Sequence, residues 1–341
     1  MLRQLSTLLL AGWVLFSCSQ PEDNVSTLAD KKVISLPSHF PEVRYPSVVS
    51  SLTEEKIKLG KMLFFDPILS ADSTVSCGSC HHQSVAFSDA PMVKSLGVGQ
   101  TPGFRNTTAI QNLLWKKEFM ADGGVFHLNL IAIAPVTDPL EMNANWSDVL
   151  ARLNNHPNYT SAFARAYQTT KIEDQHLLQA VAAFMATMIS ADSKYDAVVQ
   201  GKAAFTSVEQ RGFEVFSTYC AGCHKPPLFS DFSFRNNGQP LNPSDPGRYR
   251  VTSVQTDKAK FQVPSLRNVA LTPPYMHSGH LATLDQVLDH YAGGNADTTY
   301  MDPMLKANPF RPSASDQEAL KKFLLTLTDP VYIQNEAFRK P

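Results

Sequence analysis

The sequence predicts a mainly α fold, built in two halves joined by long ordered loops. Three observations carry that prediction. The motif C-x-x-C-H occurs twice, at Cys77–His81 and Cys220–His224, 143 positions apart, so each half holds one copy. Apolar residues recur at helical spacing in several stretches, whereas long alternating runs of the kind an exposed β-sheet needs are absent. Prolines outnumber glycines, 23 to 16, and cluster between apolar runs, which favours ordered connections over flexible linkers. A chain of 341 residues has the length for one large or two ordinary domains.

The elements follow in order. Arg3 precedes a largely apolar run, Leu5 to Phe16, too short to span a bilayer comfortably and read as an export signal over residues 1–17. The run closes with Leu15-Phe16-Ser17-Cys18, which resembles a bacterial lipoprotein box. That resemblance implies lipidation of Cys18 and a membrane anchor in the periplasm, on the inner or the outer membrane. An ordinary secretory signal that contains a cysteine is the alternative. Residues 18–40 read as a tether, polar over its first part. A helix starts near Thr53, where Thr-Glu-Glu-Lys looks like a capped first turn followed by Ile57, Leu59, Met62, Leu63 and Phe64. Asp174 to Ile189 is apolar on most faces and predicts a buried helix. Ser207 to Tyr219 predicts a helix leading straight into the second motif, and Thr283 to Tyr291 and Ser315 to Leu327 predict two amphipathic ones. The boundary falls between Asp192 and Thr206, giving an amino-terminal domain over 41–200 and a carboxy-terminal domain over 201–335. No short tandem repeat is visible. The net charge of −1 offers nothing to nucleic acid.

The cysteines set the chemistry. Apart from Cys18 there are four, in two C-x-x-C pairs. Export would permit disulfides, and two such pairs could bind zinc. Neither explains why a histidine follows the second cysteine both times. The c-type haem motif does: two thiols bond the vinyl groups of one haem edge, and the adjacent imidazole ligates the iron. Zinc's paired ligands also lie closer in sequence than these pairs do. Cys77, Cys80 and His81 are therefore assigned to one haem, and Cys220, Cys223 and His224 to a second. His82 is read as an exposed neighbour.

With both motifs placed, residues 40–330 resemble the bacterial di-haem cytochrome c peroxidase family, which includes MauG-type enzymes. The landmarks are LGKMLFFDPILS, AFSD, GFRN, DGG, PLEM, DPGRYRVT and FQVPSLRNVALTPPYMHSG. The resemblance implies two cytochrome c-like haem domains packed around a calcium ion, with hydrogen peroxide reacting at the first haem and the second passing electrons to it. It implies that Glu141 moves protons on the open face of the first iron, with Pro135 beside it in the pocket. It implies calcium at Asn106, Thr272 and Pro274, the last two through backbone carbonyls. His277 matches a family histidine near the domain interface. His39, His127, His156, His176 and His280 match nothing and are expected in the core or on the surface.

Four positions depart from the family's common pattern. Val98 stands where classical members carry a histidine that plugs the first iron. Ile131 replaces a pocket glutamine. Ala121 replaces a tryptophan between the haems, and nothing in the sequence shows Trp115 taking its place. Tyr291, as in MauG-type proteins, stands where classical members supply a methionine ligand to the second iron; Met301, Met304 and His290 are the alternative ligands. A thioether raises the potential, whereas an anionic phenolate lowers it. An unplugged first haem with a low-potential partner should react with peroxide directly in the ferric state.

The function expected is an exported di-haem c-type peroxidase, reducing hydrogen peroxide to water with electrons from a small periplasmic cytochrome c or cupredoxin. One alternative is MauG-like peroxide-dependent oxidation of a partner protein. A non-catalytic di-haem electron carrier is another. Members of the family are often homodimers, and no residue pattern here bears on it.

Overall fold

The computed structural model describes residues 33–293, 297 and 299–341. The export segment and Cys18 lie outside the described residues. Among those described, no helix is long and apolar enough to cross a membrane.

Residues 33–341 form one compact unit whose longer helices are α1 (Glu54–Phe65), α2 (Trp146–Asn154), α3 (Pro157–Tyr167), α4 (Asp174–Ala186), α5 (Ser207–Tyr219), α6 (Leu284–Tyr291) and α7 (Ala314–Leu325). The one described sheet pairs two residues with two, β1 (Phe234–Arg235) antiparallel to β2 (Phe261–Gln262). The helices start where local chemistry asks them to. The Thr53 hydroxyl accepts the Lys56 N–H ahead of Glu54 and Glu55. Thr206 with Glu209 and Thr283 with Gln286 form reciprocal capping boxes. Each satisfies amides that the first turn would otherwise leave without partners.

The same helix crossing occurs once in each half. α1 crosses α4 at Gly60, where a Cβ would lie 1.9 Å from the Ala180 carbonyl oxygen. α5 crosses α7 at Gly212, where a Cβ would lie 2.0 Å from the Ala319 carbonyl oxygen. Phe64 and Phe184 fill the first crossing, and Phe216 and Phe323 the second, all fully buried. The apolar core accordingly falls into two clusters, one around Leu63, Phe64, Phe87 and Phe184, the other around Phe216, Phe229, Leu320 and Phe323. The chain end returns to the first cluster, where Tyr332 and Phe338 pack on Phe87.

A buried polar network runs between the two clusters. Arg267 makes a two-pronged ion pair with Asp196, at 2.7 and 2.8 Å, and both side chains are wholly inaccessible. His39 reaches the same carboxylate at 2.9 Å from the start of the described chain. The guanidinium lies over Phe40 from the first cluster and Phe229 from the second. Burial alone would raise the Asp196 carboxyl, but the hydrogen bonds and charge of Arg267, with help from Ser193, hold it at about 2. The next residue, Asn268, donates to Gln111 and Ser190 and accepts from the Asp329 N–H. The SLRN landmark is thus a buried polar joint.

Candidate functional site

The first motif folds as a single tight turn, Cys77–Ser79, with the His81 N–H bonded to the Cys77 carbonyl at 3.0 Å. The His81 side chain meets the Phe87 carbonyl through Nδ1 at 2.6 Å. Phe87 is fully buried and held at φ +57°, a region that phenylalanine rarely occupies, so the surrounding core fixes where that carbonyl points. With Nδ1 donating, Nε2 keeps its lone pair for a metal. Burial lowers the His81 pKa, which keeps the ring neutral as a ligand must be.

The second motif repeats the device. The His224 N–H bonds the Cys220 carbonyl at 2.9 Å, and Nδ1 lies 3.3 Å from the Phe229 carbonyl and 3.1 Å from that of Pro264. Phe229 is likewise buried, at φ +53°. No two of the four cysteines are bonded, and among the described residues no group of three or more His, Cys, Asp and Glu gathers as a metal site. Burial pushes the Cys77 thiol up to about 12, with Cys80 adding to it; Cys80 goes to about 11 and Cys220 to about 12, again mainly by burial. The disulfide and zinc alternatives thus find no support. Paired thiols in apolar settings, each with an imidazole oriented through Nδ1, fit two covalent haems.

Glu141 lies near the first motif. Its charge is felt at both Cys77 and Cys80. Its backbone is anchored by its own N–H to the Asp138 carbonyl at 3.0 Å and by the Val98 N–H to its carbonyl at 2.8 Å. Gly97 makes that approach possible, since a Cβ there would lie 2.2 Å from the Leu140 oxygen and 2.5 Å from that of Glu141. By accessible surface the Glu141 residue is exposed. Desolvation of the carboxyl by the surrounding loop, with the charge of Asp138 second, nevertheless pushes it up to about 7. Pro135 sits in the short helix Ile133–Thr137, and its carbonyl accepts from Met142 at 3.1 Å. Val98 and Ile131 pack against the first core cluster as apolar neighbours of this loop.

Tyr291 ends α6, and its phenol is pushed up to about 12 by burial, opposed by a hydrogen bond from Asn237; the charges of Cys220 and Cys223 are felt there too. Asn237 Nδ2 lies 3.3 Å from the Tyr291 oxygen and 3.2 Å from the Met276 sulfur. Of the alternative ligands, His290 turns Nε2 to the Asn237 carbonyl at 2.8 Å, and the sulfur of the exposed Met304 takes a hydrogen bond from Arg235 at 3.3 Å. Met301 is half-buried. Neither residue stands out in the sequence: Asn237 lies outside every landmark, and Met276 lies inside the PPYMHSG landmark without a role of its own there; the tandem asparagines of FRNNG, in the loop after the second motif, were the available hint.

The remaining expected positions fall where the halves meet or in the first core. Arg105 of the GFRN landmark clamps Asp245 through two bonds of 2.6 and 2.8 Å and pairs with the inaccessible Asp122 at 2.9 Å. His277 stacks on Phe261 with centroids 3.8 Å apart, and burial lowers its pKa to about 4. Ala121 gives its carbonyl to the Gln262 N–H at 2.8 Å. Trp115 donates to the Pro41 carbonyl at 2.7 Å inside the first cluster. Asn106 is tied to His277 by a backbone bond of 2.9 Å and gives its side-chain N–H groups to the Met92 and Val93 carbonyls. The Thr272 hydroxyl turns inward to the Val269 carbonyl, and Pro274 is buried. His82 is exposed as expected and pairs with Asp89 at 3.2 Å.

Residues 54–204 match the family model described as di-haem cytochrome c peroxidase. The methylamine utilization protein MauG of Methylorubrum extorquens is 34% identical over 93% of this chain and 91% of its own length. The cytochrome c551 peroxidase of Nitrosomonas europaea is 32% identical over 68% of this chain and 71% of its own. A MauG-like protein associated with microbial copper homeostasis superposes with a TM-score of 0.82 at 31% identity, covering 90% of this chain and 98% of that one.

Proposed function

The chain belongs to the bacterial di-haem cytochrome c peroxidase and MauG family, and from that premise we propose that it is an exported peroxidase that reduces hydrogen peroxide to water with electrons from a small periplasmic cytochrome c or cupredoxin. Membership brings two c-type haems and oxidoreductase chemistry. The observation that carries the finer reading is Glu141: a carboxyl pushed up to about 7, in a loop fixed by Val98 and Gly97, whose charge reaches both cysteines of the first motif.

A haem held by Cys77, Cys80 and His81 would supply an iron that binds peroxide and helps to split its O–O bond. The chain's own residues do the rest. His81 would ligate through Nε2, because the Phe87 carbonyl holds Nδ1. Glu141 takes the proton from the inner peroxide oxygen and returns it to the outer one, so that water leaves; a carboxyl titrating near neutrality serves both directions. Two electrons and two protons convert one peroxide to two waters. With Val98 where classical members carry a histidine, the first iron would have no imidazole plug, and the ferric protein would be competent at once. His224 and Tyr291 would hold the second iron.

Export, with Cys18 as a lipid anchor, is part of this proposal and rests on the sequence. Calcium is too: the backbone bond between Asn106 and His277 brings the first loop to the PPYMHSG segment that carries Pro274, and the site would use amide and carbonyl oxygens. A second reading, peroxide-driven oxidation of a partner protein, is favoured by the half-buried Tyr291 phenol beside the second motif and by the likeness to MauG. Steady-state peroxide consumption separates the two. Turnover supported by a small cytochrome c or cupredoxin is expected; consumption only when a protein substrate is supplied and modified would favour the second reading. The electron-carrier alternative predicts no reaction with peroxide and gives Glu141 no purpose.

A further inference from the structure

We propose that Asn237 is a positioning residue for the second haem: its side-chain amide holds and tunes the Tyr291 oxygen, with Met276 anchoring the amide. The proposal rests on the reading that Tyr291 ligates the second iron. Asn237 is tied to the end of α6 twice. Its carbonyl meets His290 Nε2 at 2.8 Å, and its Nδ2 reaches the Tyr291 oxygen at 3.3 Å. His290 and Tyr291 are consecutive, so one loop residue fixes both the helix end and the direction of the phenol. An amide nitrogen carries two N–H bonds. The second points at the Met276 sulfur, 3.2 Å away, a weak acceptor that orients the amide without competing strongly for it. Met276 itself is held at φ +69°, in the turn closed by the Tyr275–Leu281 bridge and by the Gly279 N–H donating to the Met276 carbonyl at 3.1 Å.

Its neighbour serves as an internal contrast. Asn236 spends its amide on the Gln239 and Ala259 carbonyls, at 2.8 and 2.9 Å, and its oxygen on the Gly238 N–H at 2.7 Å. Asn236 shapes the loop, and Asn237 is the one aimed at the phenol. A hydrogen bond to a ligating anionic oxygen draws charge away from it and weakens its donation to the metal. The amide should therefore raise the potential of the second haem above what a bare phenolate would give.

The test uses the full holoprotein and reads the low-spin electron paramagnetic resonance signal and reduction potential of the second haem. Tyr291→Phe tests the ligand reading and is expected to abolish the wild-type signal. Asn237→Leu removes both N–H donors but keeps the backbone contact to His290; it is expected to shift the signal and lower the potential, with the first haem unchanged. Met276→Leu should shift both in the same direction by less. If Asn237→Leu does not yield folded holoprotein, Asn237→Ser reads the same effect. A signal and potential unchanged in Asn237→Leu, with Tyr291→Phe altered, would overturn this proposal alone. An unchanged Tyr291→Phe would overturn the ligand reading, as would a Met276→Leu variant that loses the signal outright.

Discussion

Glu141 combines two properties that peroxide chemistry asks of a single side chain, a fixed backbone and a carboxyl poised near neutrality. Replacing it by glutamine keeps the size and removes the proton. The second-order rate of the ferric protein with peroxide should then fall by about 10²–10⁴-fold, the usual worth of a positioned acid–base group. The wild-type rate should rise through about pH 7 as the carboxylate forms, and E141Q should lose that rise. The sign for stability is opposite. A carboxyl whose folded pKa lies above its ordinary 4.5 makes the fold bind an extra proton, so stability declines as pH rises from 4.5 to about 7. E141Q should therefore melt no lower than wild type at pH 8 while reacting far more slowly. Val98 offers the reverse test. Its N–H is bonded to the Glu141 carbonyl, so V98H puts an imidazole on the neighbouring loop. If that imidazole reaches the iron as the family plug does, ferric V98H should react slowly until one electron is added; stopped-flow mixing with and without prior one-electron reduction reads this directly.

The helices tell how far local signals reach. Thr53, Thr206 and Thr283 mark their own helix starts, because capping is settled within four residues. Each motif histidine was legible for the same reason. Helix ends were read less well: the predicted Asp174–Ile189 stops at Ala186 with Thr187 closing it, and Ser315–Leu327 is Ala314–Leu325. What the sequence hid is what depends on distant partners. His39 looked spare yet meets Asp196, 157 positions away, and Asn237 meets Tyr291 across 54. No periodicity encodes such pairs. The helix crossings were hidden too, since nothing next to Gly60 or Gly212 in the sequence identifies the distant carbonyl each one meets. Their role predicts a matched result. Gly60→Ala and Gly212→Ala each thrust a methyl into a carbonyl about 2 Å away, and each should cost about 1–3 kcal/mol or more by denaturant unfolding. A neutral effect at either site would mean that the crossing is looser than the structure has it.

For the molecule as a whole, the Arg267–Asp196–His39 cluster joins the two apolar clusters, and breaking it should be felt everywhere. Asp196→Asn leaves a buried guanidinium without its counter-charge, at a cost of about 3–5 kcal/mol. The Asp196 carboxyl is held at about 2 against an ordinary 3.8. Its contribution is therefore present above pH 3.8 and lost as pH falls through about 2. Acid unfolding of wild type should steepen in that window, and D196N should not show the same step. The central claim lies elsewhere, in the pairing of an unplugged first haem with Glu141 and a phenolate-ligated second haem. Mixing the fully ferric holoprotein with one equivalent of hydrogen peroxide in a stopped-flow spectrometer, and following the Soret band, tests it most directly. The account predicts a fast change with no electron added. A ferric protein that stays inert until one electron enters would contradict it, and would mean that a ligand other than Tyr291 raises the second potential while some group covers the first iron.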